Sequence, residues 1–196
     1  GNDCPINFSY PTPNNTYTKG TAIADLIPTR TSGLINAFSI SPGLPAGLAI
    51  NSISGFITGN PTVASPNTAY TITANNGTCS ATTSINILVN PDAPIPSYSP
   101  NNRSFVVNTP ISPNWTINNS GGPISNVTIS PALPSNLSLN PTTGEISGTP
   151  TAIQSNTNYT VTASNAGGSG STQISFSVVA NPCPITLTYN PSGGVY

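Results

Sequence analysis

In a chain of 196 residues only seven side chains carry formal charge, Lys19, Arg30, Arg103, Asp3, Asp25, Asp92 and Glu145, and histidine is missing altogether. Three scattered cations cannot release counterions from a phosphate backbone, which excludes nucleic acid as a partner, and without histidine the usual general base and commonest metal ligand are gone. A hydrophobic content of 35% suits two domains of roughly 90 residues, and no apolar run reaches the ~20 residues that would insert in a membrane.

Asn, Ser, Thr and Gly supply 96 of the 196 residues, so the surface is built from neutral hydrogen-bonding groups. Gly1-Asn2-Asp3 lacks the basic start and apolar stretch of a secretion signal, and targeting signals are expected elsewhere.

Read from the start, Cys4-Pro5-Ile6 with Tyr10 recurs as Ala93-Pro94-Ile95 with Tyr98, and again as Cys183-Pro184-Ile185 with Tyr189. The stretch Thr21 to Leu26 is the only weak helix candidate, because 22 prolines and 17 glycines interrupt every other window. The phrase from Leu44 to Thr62 returns at Leu133 to Thr151, an offset of 89 residues. Self-similarity at a fixed period marks an array. In Asn140-Pro141-Thr142-Thr143-Gly144, proline sets φ early and glycine accepts positive φ late, as a tight turn requires, and Gly55 holds the same place in the first repeat.

Tyr70, Ile72 and Ala74 alternate with threonines, as do Tyr159, Val161 and Ala163, the period-2 pattern of a half-buried strand. Closing strands follow at Ile85 to Val89 and Ile174 to Val178. The predicted architecture is all-β: antiparallel sandwiches at residues 1–90 and 91–181, then the opening strand of a further repeat at 182–196.

The phrase Leu-Pro-x-x-Leu-x-hydrophobic-Asn, then Gly-x-Ile-x-Gly-x-Pro-Thr, then Tyr-Thr-hydrophobic-Thr-Ala, resembles the immunoglobulin-like repeats of bacterial surface and secreted proteins. The resemblance covers both repeats and implies tandem cadherin-like β-sandwich modules in large extracellular proteins, with no common activity. Related modules bind calcium at their junctions, but Asp3 and Asp92 each lack the several carboxylates such a site gathers. No metal or cofactor is expected.

Cys4 and Cys79 are both replaced in the second repeat, by Ala93 and by the glycines around Gly168 to Gly170. Joint absence is what a bonded pair leaves, and a Cys4–Cys79 disulfide is predicted, two buried free thiols being the alternative. An oxidising, extracellular or cell-surface location follows from that bond. Cys183 occupies the Cys4 position of the third repeat.

Catalysis is not expected, since no Ser-His-Asp or Cys-His set exists and the carboxylates do not pair. Glu145 reads as a solvated turn residue. Nine Asn-x-Ser/Thr triplets occur, and candidate N-glycosylation sites are Asn14, Asn76, Asn102, Asn114, Asn118, Asn126 and Asn136, while Asn7 and Asn158 flank strand tyrosines and are assigned to structure. Tyr10, Tyr98 and Tyr189 recur at one repeat position, which fits packing, as do Tyr70 and Tyr159. Trp115 is unique to the second repeat and is assigned to its core, with a ligand contact as the alternative.

The leading functional expectation is a non-catalytic structural unit of an extracellular filament, stalk or adhesin, with covalent glycans. Its surplus strand, Cys183, Pro184, Ile185, Leu187 and Tyr189, either continues into a third module or adds to a sheet edge of a neighbouring copy, head to tail. The rivals are a carbohydrate- or protein-binding module, which needs an exposed aromatic cluster, and an accessory domain of a larger secreted enzyme.

Overall fold

The computed structural model describes residues 4–182, and among these there are sixteen strands and no helix. The first repeat contains β1 (Asn7–Ser9), β2 (Asn14–Thr18), β3 (Thr29–Ser32), β4 (Ala37–Ser41), β5 (Leu48–Ile50), β6 (Ile57–Gly59), β7 (Ser65–Asn75) and β8 (Ser80–Asn90). The second repeats the order as β9 (Pro96–Tyr98), β10 (Asn102–Val106), β11 (Ile117–Asn119), β12 (Asn126–Ser130), β13 (Leu137–Leu139), β14 (Ile146–Gly148), β15 (Gln154–Asn165) and β16 (Gly168–Val179).

Each repeat sets a four-stranded sheet against two short pairs. In the first, the sheet runs β2-β8-β7-β4 and the pairs are β1-β3 and β5-β6; in the second they are β10-β16-β15-β12, β9-β11 and β13-β14. Alternation does the folding. Tyr70, Ile72 and Ala74 face Ile85, Ile87 and Val89 inward from the β7–β8 hairpin, and Tyr159, Val161, Ala163, Ile174, Phe176 and Val178 repeat the pattern, all buried. Pro66, which cannot donate to a ladder, sits where the β7–β8 register shifts between Ser65 and Thr68.

The expected antiparallel order has one departure in each repeat: β2 runs parallel to β8, and β10 to β16. Hairpins force neighbouring strands to alternate, whereas Asn14 and Asn86 meet across 72 residues and are under no such constraint. Thr21 to Leu26 is not helical; Leu26 is buried and bridges Ile57 as an extra strand residue.

The two cores are separate and balanced differently. At the 89-residue offset Leu26 becomes Trp115, Ile87 becomes Phe176 and Phe38 becomes Val127, so the bulk is distributed differently in the two cores. Trp115 bridges Ile146 as Leu26 bridges Ile57.

The opening strand is latched in both repeats by the same device. Asn51 Oδ1 accepts from Ile53 N and Ser54 N, and Asn140 Oδ1 from Thr142 N and Thr143 N, folding each β5–β6 or β13–β14 turn. Gly55 and Gly144 take φ of +76° and +70° there. Their carbonyls accept hydrogen bonds from the hydroxyls of Tyr10 and Tyr98.

Candidate functional site

Between the buried residues of β7 and β8 lie Thr71, Thr73, Thr82, Ser84 and Asn86, and strand alternation turns all of them outward. Register aligns them into rows across the sheet, Ser39–Thr73–Thr82 and Ser41–Thr71–Ser84. The second repeat carries Thr128–Thr162–Ser171 and Ser130–Thr160–Gln173 at the same places. Side chains bond along such rows, between register partners: Thr162 and Ser171 hydroxyls lie 2.8 Å apart, Ser177 Oγ donates to Ser104 Oγ at 3.1 Å, and Asn86 Nδ2 donates to Asn14 Oδ1 at 2.9 Å. Such a face offers donors and acceptors without charge. It can hold polar surfaces or carry glycans, and it supplies no acid, base or nucleophile of shifted pKa.

The join between repeats is the second candidate region. A cleft of about 480 Å³ is lined by Lys19, Thr62, Val63 and Ala64 of the first repeat, the connecting Pro91-Asp92, and Gly121, Gly122 and Pro123 of the second. Lys19 Nζ lies 2.7 Å from Asp92 Oδ2, both side chains being substantially exposed. An exposed pair of this kind contributes about 0–1 kcal/mol. Asp92 is thus the partner of a lysine, and the described residues contain no cluster of three or more His, Cys, Asp or Glu. Asp3 lies outside the described residues.

The connecting segment is seated on glycine. A Cβ at Gly167 would overlap the carbonyl oxygen of Pro91, one at Gly122 that of Asp92, and one at Gly170 that of Pro94. Asn165 Nδ2 closes the seat by donating to the carbonyls of Asp92 (2.7 Å) and Pro123 (2.9 Å). In the first repeat the equivalent opening segment keeps one such contact, Gly33 on the carbonyl of Pro5, and is also held covalently, because Cys4 and Cys79 form a disulfide with Cα atoms 5.7 Å apart. The glycine seat and the Lys19–Asp92 pair were not read from the sequence. The replacement of Cys79 by a glycine-rich stretch was the available signal for the first; nothing local announces the second.

Trp115 lies in the core of the second repeat, and its alternative reading as a ligand contact falls. It is 2% exposed and packs edge-to-face on Tyr98, Phe105 and Phe176, and its indole Nε1 donates to Pro100 O at 2.8 Å, so no ligand can stack on it. Arg103 lies over Phe105 and Trp115, at 5.1 and 5.7 Å from the ring centres. Tyr10 and Tyr98 are buried too, and burial pushes both hydroxyls up to about 12. Tyr17 is half-buried, and its pKa is raised for the same reason. Among the described aromatic side chains Phe56, at 37%, is the most exposed.

The sequons are spread over both repeats. Asn118 and Asn126 stand exposed on β11 and β12, and Asn14 is exposed on β2. Asn102, Asn114 and Asn136 are exposed but commit Nδ2 to Ser175 Oγ, Glu145 Oε1 and Thr151 Oγ1 respectively. Asn76 is half-buried and its Oδ1 caps Thr78 N and Cys79 N in the β7–β8 turn. Asn7 and Asn158, assigned above to structure, are exposed, because alternation sends them out when Phe8 and Tyr159 point in. The strand Cys183, Pro184, Ile185, Leu187 and Tyr189 lies outside the described residues.

A family model described as Putative Ig domain matches residues 5–90 and again 93–181. The chain belongs to that family. Among curated proteins it is 31% identical over 172 residues, 86% of this chain, to the serine-rich adhesin for platelets of Staphylococcus aureus, and 33% identical over 142 residues to the protein of that name in strain N315. The chain spans only about 7% and 6% of the length of those relatives. Among solved structures, immunoglobulin domains 1–4 of Sidekick-1 align with a TM-score of 0.59 at 13% identity, covering 89% of this chain and 49% of that one. The four N-terminal Ig domains of Dscam1 isoform 9.44 align at 0.60 and 11% identity, covering 89% and 46%. These likenesses show the immunoglobulin fold alone. Within this Ig family frame, the disulfide, the tyrosine latch and the glycine seat are three ways of fixing one opening strand.

Proposed function

We propose that this chain is a non-catalytic structural unit of an extracellular surface protein of adhesin type, a stiff tandem of Ig-like modules that holds its neighbours at a set spacing. The observation that carries this reading is the likeness to a staphylococcal adhesin along 86% of the chain, whose described carboxylates, Asp25, Asp92 and Glu145, are exposed or paired. The outer faces of neutral hydroxyls and amides bear glycans on the exposed Asn14, Asn118 and Asn126 and meet other proteins through many weak hydrogen bonds.

The segment from Cys183 to Tyr189 joins the unit head to tail with a neighbouring copy. The reading is supported by Tyr189, which falls at the repeat position where Tyr10 and Tyr98 latch an opening strand to a turn glycine. Location and glycans are tested together by enzymatic shaving of intact native cells followed by intact-mass analysis of the released chain. Release with a mass exceeding that of the bare polypeptide is expected; recovery only from the cytosol, with reduced cysteines and the bare mass, overturns the reading.

A further inference from the structure

Arg103, the one charged side chain of β10, lines a cleft of about 170 Å³ between that strand and the loop that leaves it. Ser104 and Phe105 stand beside it on the strand, and Thr109, Ile111 and Ser112 form the facing wall. The guanidinium lies over Phe105 and Trp115 and donates through Nη1 to Pro113 O at 3.1 Å, which leaves most of its five N–H groups to other partners. Both carboxylates of the second repeat are committed elsewhere, Asp92 to Lys19 and Glu145 to Asn114 Nδ2. Among the described residues Arg103 therefore has no anionic partner.

The sheet adds a backbone donor beside this cation. Ser175 N donates to Asn101 O and Val107 N to Val179 O, so alternate residues of β10 turn to β16, while Asn102, Ser104 and Val106 turn their backbone groups away from it. On that outer side Val106 O accepts from Thr109 N, which folds the loop back along the edge. Among the described residues no strand lies beyond β10, and the Ser104 N–H stands on the cleft side.

The first repeat closes the same position. Ile23 N to Gly59 O recurs as Ile111 N to Gly148 O, and the pair Asn15 with Ile87 recurs as Arg103 with Phe176, so Arg103 corresponds to Asn15 and Ser112 to Ala24. Asn15 is 8% exposed, and its Nδ2 donates to Thr12 O and Asn86 O within its own module. The second repeat exchanges that satisfied amide for a cation, and an alanine for a hydroxyl, on the two walls of one cleft.

We propose that this cleft binds a carboxylate-bearing sugar, a hexuronic acid unit, with its carboxylate on Arg103. A planar guanidinium meets a carboxylate through two parallel N–H···O bonds, and the rings of Phe105 and Trp115 keep water from one face of it. The Thr109 and Ser112 hydroxyls and the Ser104 N–H are placed for the ring hydroxyls. The volume suits a single sugar ring and falls below that of a drug-sized site. An aspartate or glutamate side chain would meet the cation and leave the hydroxyl wall unused. Recognition through an ion pair needs no exposed aromatic platform. The site is independent of head-to-tail joining, and its failure would leave the structural reading standing.

Titration of the full oxidised chain with sodium glucuronate, followed by Trp115 fluorescence and by the amide resonance of Ser104, tests this. Trp115 is the only tryptophan, and its ring centre lies 5.7 Å from the Arg103 guanidinium carbon, so an anion on Arg103 alters its emission. Saturation with a dissociation constant on the order of millimolar is expected, and glucose, which lacks the carboxylate, should bind roughly tenfold more weakly. Arg103→Met keeps an aliphatic stem over the rings and should weaken glucuronate binding about tenfold or more, with Arg103→Lys in between. Ser112→Ala, an exposed change on the opposite wall, should cost about threefold. Arg30→Gln, which removes the cation over Phe38 in the first repeat, should change nothing. Circular dichroism and melting that match the parent show that each variant is folded. Equal affinity for glucose and glucuronate, parent-like binding by Arg103→Met, or no saturable change in the parent overturns the site. Tighter binding of N-acetylglutamate than of glucuronate overturns the sugar and assigns the cation to an acidic peptide.

Discussion

Tyr98 and Tyr10 show how single side chains hold this fold. Each carries its ring in the core and its hydroxyl to a glycine carbonyl whose residue only a positive φ allows, so one residue ties strand, turn and core together. Burial raises both hydroxyls from an ordinary value of 10 to about 12, which means the fold holds the protonated phenol. Their contribution is complete below pH 10 and is lost as pH rises from 10 through 12. Thermal scans across that window should show a fall in melting temperature that is smaller in a Tyr10→Phe, Tyr98→Phe double variant. The tyrosine positions were legible because they recur at a fixed period, and Trp115 was not fully so. A residue unique to one repeat has no partner copy to compare with, and it is the edge-to-face packing on Tyr98, Phe105 and Phe176 that places the indole in the core.

At the scale of elements, the opening strand is the vulnerable one, since β1 and β9 have three residues each and pair with only one short neighbour. The first repeat fastens it with a disulfide spanning 75 residues, which the chain-entropy model values at about 4 kcal/mol. The second fastens it by letting backbone pack directly on glycine. Calorimetry of the oxidised chain should resolve this difference. Cys4→Ser with Cys79→Ser, or reduction of the parent, should lower the melting of the first repeat and spare the second. Gly167→Ala, whose methyl would overlap Pro91 O, should do the reverse at a cost of about 1–3 kcal/mol. Equal shifts of both repeats in either variant would contradict the assignment. The strands themselves were plain in the sequence, because period 2 and β-branched residues are local properties. The parallel pairing of β2 with β8 was not, since it depends on the path of the chain over 72 residues and no short window records it.

For the molecule as a whole, two copies of one sandwich, a short glycine-seated connection and a surface with almost no charge describe something built to be repeated. The surface chemistry was legible from composition alone, but which faces meet was not. The central claim is that the chain is a repeating structural unit joined end to end. Electron microscopy of the native material, imaged without chemical fixation, tests it most directly. The account predicts filaments whose axial repeat equals the length of two modules. Dispersed particles of two modules each, at any concentration and salt, would contradict it.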